Sequence, residues 1–237
     1  MQKLLTIVIP CKNEEKYIAR TLYAIMIQKA IDKTKIIIAD AYSTDNTVRI
    51  VNNIKNKFNL DLDVVIGGLP AVGRNLGAKL AETPYILFLD ADVTFTKPNA
   101  IKKALRALTS HRYDMVSTTP VYLGEKDWKA SFMFWINKWI TIALSHKEPF
   151  AIGGFTMVCK NSFINLGGYD EKATQSEDWL FSKQVDPKKF LIIPDLMTQD
   201  NRRFKKYGYW SMIKLVWRNW RNKNNIDYFY KDQGYWC

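Results

Sequence analysis

Short, almost wholly apolar runs recur through the first half of the chain, at 4–10, 35–40, 62–67, 85–90 and 115–119. Most are too apolar to be half-exposed strands, which would alternate; they fit strands covered on both faces. Between them, at 15–28, 45–57, 73–81 and 98–110, the spacing is helical. Asp45 suits the N-cap of the second of these helices, and Pro98 the first turn of the fourth. This alternation predicts an α/β fold with a mainly parallel sheet and helices on both faces. Ligands of such sheets bind at the carboxyl ends of the strands, so the polar residues that end each run are the candidates for chemistry.

The second half changes character. Trp-rich helices are predicted at 128–145 and 209–221, with a glycine-containing, irregular stretch at 150–166 between them. On the second helix Trp210, Ile213, Trp217 and Trp220 form one stripe, and Ser211, Lys214, Arg218 and Arg221 another. Trp128, Phe132, Trp135, Trp139 and Ile142 form a similar stripe upstream. Two readings are open: these faces cover the sheet or each other, or they dock on an anionic membrane surface. The organisation expected is one domain at 1–200 with a basic, aromatic extension at 201–237 packed on it.

Charge sharpens this division. The net charge is +12, and from Asn201 onward nine basic residues face only Asp227 and Asp232, a surplus of +7. Such an end seeks phosphate on a small ligand, a lipid headgroup or a nucleic acid. Three scattered cysteines (Cys11, Cys159 and Cys237) suggest neither a disulfide framework nor a zinc site. They read as small apolar residues plus a free terminal thiol, and His111 and His146 as surface residues. The apolar start is too short for a signal peptide, and no apolar run reaches membrane-spanning length. A cytoplasmic protein is expected, peripheral on the inner membrane face if the Trp-rich helices meet lipid.

The strongest local signal is the strand at 85–90, which delivers Asp90 and, one residue beyond Ala91, Asp92. If the strand continues, both carboxylates face one side, and like charges held close demand a counter-ion. A divalent metal shared with a substrate diphosphate answers that demand, with Mn²⁺ or Mg²⁺ the natural choices. Asp40 ends another buried strand, where it can accept hydrogen bonds from a base or ribose. Ser43 and Asp45 after it read better as a turn and a helix cap. Gly73-Arg74-Asn75-Leu76-Gly77 opens a helix: its glycines permit close backbone approach, and Arg74 can pair with a phosphate or a carboxylate. Gln175-Ser176-Glu177-Asp178 begins another helical stretch. There Ser176 or Glu177 acts as a cap, or one carboxylate is a general base aimed at an acceptor hydroxyl.

Taken in order, six motifs resemble the family-2 glycosyltransferases with a GT-A fold. They are Ile7 to Glu15, Ala39 to Thr47, Gly73 to Gly77, Asp90-Ala91-Asp92, Gly167 to Glu171 and Glu177-Asp178. The resemblance runs from about residue 5 to about 214 and implies a three-layer αβα sandwich. It implies that Pro10 and Lys12 lie along the nucleotide with Glu14 nearby, that Asp40 holds the base, and that Arg74 reaches the nucleotide or its phosphates. Asp90 would touch the ribose or sugar, and Asp92 the metal. Asp178 would be the catalytic base, with Glu177 beside it, and 155–168 would wall the acceptor side. Many relatives carry a second Asp where this chain has Ala41, and an aromatic where it has Lys12. Gln199-Asp200-Asn201-Arg202-Arg203-Phe204 resembles a basic segment of some members; Arg202 and Arg203 would then close over the donor phosphates.

The implied reaction is inverting transfer from a nucleoside-diphosphate sugar, UDP- or GDP-linked, to a hydroxyl acceptor. Other readings are a nucleotide-sugar-binding module without activity and a nucleotidyltransferase. Against the latter, this chain lacks a Gly-rich phosphate loop after the first strand, the cradle that a triphosphate needs. A nucleic-acid-binding protein would explain the charge but not the strand-end carboxylates, which repel a phosphate backbone, so no nucleic-acid partner is expected.

Overall fold

A computed structural model describes residues 3–29, 32, 34–124 and 127–231. Its strands are β1 (Leu5–Cys11), β2 (Thr34–Asp40), β3 (Leu62–Ile66), β4 (Tyr85–Leu89) and β5 (Thr94–Phe95). They continue with β6 (Met115–Ser117), β7 (Pro120–Tyr122), β8 (Phe155–Cys159), β9 (Phe190–Ile192) and β10 (Met197–Gln199). The helices of the first half are α1 (Ile18–Met26), α2 (Thr47–Phe58), α3 (Pro70–Leu80) and α4 (Ala100–Thr109). Those of the second are α5 (Trp128–Ser145), α6 (Lys160–Asn165), α7 (Glu177–Ser182), α8 (Arg202–Tyr207), α9 (Tyr209–Arg221) and α10 (Ile226–Tyr230).

Seven strands form one sheet in the order β3-β2-β1-β4-β8-β6-β9, and β8 alone runs antiparallel to its neighbours. Successive side chains of a strand point to opposite faces, and both faces are apolar here. Ile7 and Ile9 join Leu87, Phe155 and the helices α1, α2 and α4 on one side. Val8 joins Ile86, Phe88 and Val158 on the other, under Ala71 and Ala78 of α3, Phe163 of α6 and Phe181 of α7. The three-layer α/β sandwich expected from the apolar runs is therefore what the chain forms. A small second sheet, β5-β10-β7, lies beyond the ends of β4 and β6.

Helix α3 sits unusually close to the sheet. A Cβ added at Gly77 would stand 2.2 Å from Val8 Cγ1, and one at Gly73 would stand 3.2 Å from Ala39 Cβ. The glycines of this segment thus serve helix-on-sheet contact. The helix also starts earlier than its glycines suggest, with Pro70 at its first position, where a missing N–H costs nothing. Pro98 lies in the turn before α4 instead of within it, because Asn99 is the N-cap and Ala100 the first helical residue. Asp45 stands one residue ahead of the N-cap Asn46; its carboxylate accepts from the N–H groups of Thr47 and Glu15, so it fastens the loop as well as the helix.

The stretch at 150–166 is not irregular. It contains β8 and α6, and β8 is buried between β4 and β6. Phe155 is fully buried in the core, so 155–168 supplies a central strand and its following helix, not a wall for an acceptor. The C-terminal segment returns to the body: the fully buried Phe229 of α10 packs with Trp179 and Leu180 of α7, and its carbonyl accepts from Thr174.

Candidate functional site

The chain runs outward from β1 to β2 and β3, then crosses back to place β4 on the other side of β1. The carboxyl ends of β1 and β4 flank that reversal, which is where doubly wound sheets leave a crevice for ligands. A cavity of about 850 Å³ opens there. Its floor is Pro10, Cys11, Lys12, Asn13, Glu14, Asp90, Ala91 and Asp92 from the two strand ends, with Ala41 and Tyr42 from the end of β2. Its roof is the C-terminal extension: Arg202, Lys206 and Tyr207 of α8, and Ser211, Met212, Leu215 and Arg218 of α9.

Strand β4 ends at Leu89, so Asp90 and Asp92 stand in a turn rather than on one face of a continuing strand. Both still line the cavity, and each meets a different cation. Arg74 Nη2 lies 2.9 Å from Asp90 Oδ1. Arg202 Nη2 lies 2.6 Å from Asp92 Oδ2, while its other nitrogen is 3.4 Å from Glu14 and its guanidinium covers the Tyr17 ring at 4.6 Å. The counter-charge that the Asp-x-Asp pair demands is thus supplied by two arginines. Burial alone would lower the Arg202 pKa, but Asp92 and then Glu14 overcome it and raise the value. Burial raises the Glu14 pKa, against the pull of Arg202.

Arg74 is only 1% exposed and gathers carboxylates from both halves of the chain. It donates to Glu177 at 2.7 Å and to Asp90 at 2.9 Å, and lies 3.5 Å from Asp178 Oδ1. Its Nη2 also donates to the carbonyl of Gly153, and the guanidinium lies over the buried Tyr169 ring. Asp178, Glu177 and Asp90 together hold its pKa well above the ordinary value despite complete burial. The neighbouring Asn75 holds the Gly-Gly-Tyr-Asp-Glu segment: it accepts from the Tyr169 N–H and donates to the Tyr169 carbonyl and to Glu171.

Asp178 lies behind Asp90, off the cavity wall, with 13% of its side chain exposed. Burial raises its pKa to about 7; Arg74 opposes the shift, and Glu177 and Asp90 add to it. Its Oδ1 has no hydrogen-bond partner among the described residues. A Cβ at Gly153 would stand 2.4 Å from Oδ2, so only glycine leaves that oxygen room.

Asp40 closes β2, where its oxygens accept from the Ser43 N–H and hydroxyl and from the Cys11 thiol. It sits beneath the cavity floor beside Ala41 and Tyr42. Arg203 is in α8, but its side chain, like Cys237, lies outside the described residues. Among the lining residues that sequence reading did not single out are Tyr17 and Tyr42, which bring aromatic rings to the cavity, and Gln175. Gln175 is 1% exposed, and neither end of its amide has a partner among the described residues. Nothing in its sequence context sets it apart from a residue ahead of a helix cap.

A hard divalent cation fits this donor set. Asp90 and Asp92 offer carboxylate oxygen at the cavity wall, and a cationic group already rests on Asp92. Among the described residues no cluster of three or more His, Cys, Asp or Glu could hold a metal by itself. Further oxygens would therefore come from a ligand, as a diphosphate provides.

Comparison with known proteins agrees with this geometry. The family model described as Glycosyl transferase family 2 matches residues 6–167. The poly(ribitol-phosphate) beta-N-acetylglucosaminyltransferase TarS of Staphylococcus aureus is 34% identical over 116 residues, 47% of this chain and 20% of that protein. The 4,4'-diaponeurosporenoate glycosyltransferase of Staphylococcus haemolyticus is 25% identical over 183 residues, 72% of this chain and 48% of that protein. The chain thus spans between a fifth and a half of the length of these curated relatives. Among solved structures, TarS residues 1–349 with UDP-GlcNAc superimposes with a TM-score of 0.65 at 21% identity, over 84% of this chain and 59% of that one. The mannosyltransferase PcManGT of Pyrobaculum calidifontis, with GDP-Man and Mn²⁺, gives 0.66 at 20%, over 82% and 56%.

Proposed function

The chain belongs to glycosyl transferase family 2, and from that premise we propose that it transfers a sugar from a nucleoside-diphosphate sugar to a hydroxyl acceptor, with inversion and with Asp178 as the base. The observation that carries this reading is the Arg74 cluster. One buried guanidinium ties Asp90, on the wall of a cavity large enough for a nucleotide sugar, to Glu177 and Asp178 just off that wall. The solved relatives bind UDP-GlcNAc or GDP-Man, so UDP- and GDP-linked donors are the first to try.

In this reading the nucleotide lies along Pro10, Lys12 and Glu14, with its base between the β2 end, held in shape by Asp40, and Tyr42. Asp90 touches the ribose or sugar, and Gln175 offers its free amide to the same ligand. Asp92 and Asp90 would hold Mn²⁺ or Mg²⁺, which when bound stabilises the charge of the departing diphosphate. Arg202, which rests on Asp92, moves to the phosphates when donor enters. Arg74 acts one step back, orienting the three carboxylates instead of reaching the phosphates itself.

Asp178 takes the proton of the acceptor hydroxyl as its oxygen attacks the anomeric carbon from the face opposite the leaving group. A single displacement of that geometry inverts the configuration. The acceptor arrives on the Gly153 side, where that residue puts no side chain against Oδ2. Glu177 remains paired with Arg74 and keeps that cation from quenching the base. A positioned base contributes roughly 10²–10⁴-fold. Asp178→Asn is therefore expected to lower the rate of transfer by about that factor while donor affinity holds. Donor titration and turnover measured on the same variant test this, and near wild-type turnover with normal donor binding would remove Asp178 as the base.

A further inference from the structure

Six of the eight tryptophans lie on two helices, α5 and α9, and every one of the six is more than half exposed, from 53% at Trp139 to 78% at Trp210. Tryptophan is highly buried on average in a folded domain, so six outward indoles need a reason. Among the described residues, the body does not cover them. On α5 the inward face is Ala130, Phe134, Thr141 and Ser145, and the opposite side carries Trp128, Trp135 and Trp139 with Phe132 and Ile140. On α9 no residue is buried; Met212 and Leu215 turn to the cavity, while Trp210, Trp217 and Trp220 with Val216 turn away.

The two helices are fastened at both ends. At their starts, Tyr209 at the head of α9 and Asn201 both donate to Asp127, the N-cap of α5. Beyond their ends, Lys223 pairs with Glu148 at 2.6 Å. They therefore run in the same direction along one side of the molecule, joined through α8, where Phe204 meets Phe134. Neither helix contains an acidic residue; α5 carries Lys129 and Lys138, and α9 carries Lys214, Arg218 and Arg221.

We propose that this paired-helix face docks on an anionic lipid bilayer. Exposed tryptophans flanked by lysine and arginine suit the boundary between headgroups and acyl chains, where an indole buries its ring and keeps its N–H wet. Lys129, Lys214 and Arg221 complement the negative surface of such a leaflet, whereas Lys138 pairs with Asp195 and Arg218 lines the cavity. No described helix is long and apolar enough to cross a membrane, so the helices lie on the surface. A second copy of the chain is a poorer occupant, because the same face pressed on itself sets cation against cation. Since α9 also roofs the cavity, docking brings the cavity mouth to the bilayer. The docking itself does not depend on the reaction proposed for that cavity.

The test is co-sedimentation of the intact chain with phosphatidylcholine vesicles, with and without phosphatidylglycerol, across a salt series. Tryptophan emission is followed in the same samples. Binding is expected only with phosphatidylglycerol, weakening as salt rises, with emission shifted to the blue. Replacing Trp210, Trp217 and Trp220 by Ser is expected to lower the apparent affinity by about tenfold or more, as is replacing Trp128, Trp135 and Trp139 by Ser. Both variants should keep the wild-type melting temperature and nucleotide binding. Three outcomes overturn the proposal: no sedimentation with anionic vesicles at low salt, equal binding by folded variants, or a wild-type dimer that the variants dissolve. Loss of vesicle binding with nucleotide binding intact sinks this surface alone; the reverse sinks the cavity reading alone.

Discussion

At Asp178 three influences compete. Burial pushes the pKa up most, Arg74 pulls it down, and Glu177 and Asp90 push it up again, leaving it at about 7. A base must be ionised to act, so transfer is expected to rise with pH along a limb centred near 7. The same shift has a thermodynamic side. The folded protein keeps on Asp178 a proton that an unfolded Asp releases near pH ~4. Stability from this group is therefore lost as pH rises from ~4 toward 7. Asp178→Asn, which cannot ionise, should melt higher than wild type at pH 8, by a margin that shrinks at pH 5. Melting temperatures of the two proteins at those pH values check this, and a margin independent of pH would contradict it. The burial of Arg74 belongs to the same balance, since a guanidinium out of water is tolerable only with several carboxylates against it.

Among the elements, α3 shows how a local sequence feature serves packing and site together. Alanine for glycine on an open helix face gains about 1 kcal/mol. At Gly77 the added Cβ would lie 2.2 Å from Val8 in the central strand. Gly77→Ala is therefore expected to cost about 1–3 kcal/mol, as overpacking does. It would be read as a lower denaturation midpoint at unchanged slope; a gain in stability would contradict the account. The same helix carries Arg74 and Asn75, so its close seat on the sheet also sets where the carboxylate cluster forms. Element types were readable where a pattern ran long enough: α5 and α9 match the predicted spans to the residue because 18 and 13 residues free of Gly and Pro leave little choice. β8 was not readable, since five residues after two glycines, all apolar but Thr156, are too few to show a period. Asp90 and Asp92 stood out at a strand end, whereas the pairing of Arg74 with Glu177 joins residues 103 apart, and no local pattern encodes it.

For the whole molecule, the topological reversal at β1 and β4 and the basic C-terminal extension close on one another around a single cavity. The surplus of +7 from Asn201 onward gains a purpose in this arrangement, because part of it faces two acidic strand ends across that cavity and part faces outward with the tryptophans. Arg202 on Asp92 holds the roof to the floor. A diphosphate with its cation would replace that contact by two, one on each side. The most direct measurement is a thermal-shift panel of UDP, GDP, CDP and dTDP, each with and without Mn²⁺, on wild type and Asp92→Ala. A ligand at a hundredfold excess over its Kd adds about 2.7 kcal/mol to the native state, worth about 2–4 °C per kcal/mol in a domain of this size. A rise with UDP or GDP that requires Mn²⁺ and is lost in Asp92→Ala is expected; no rise with any of the four would rule out a nucleotide-sugar site in this cavity.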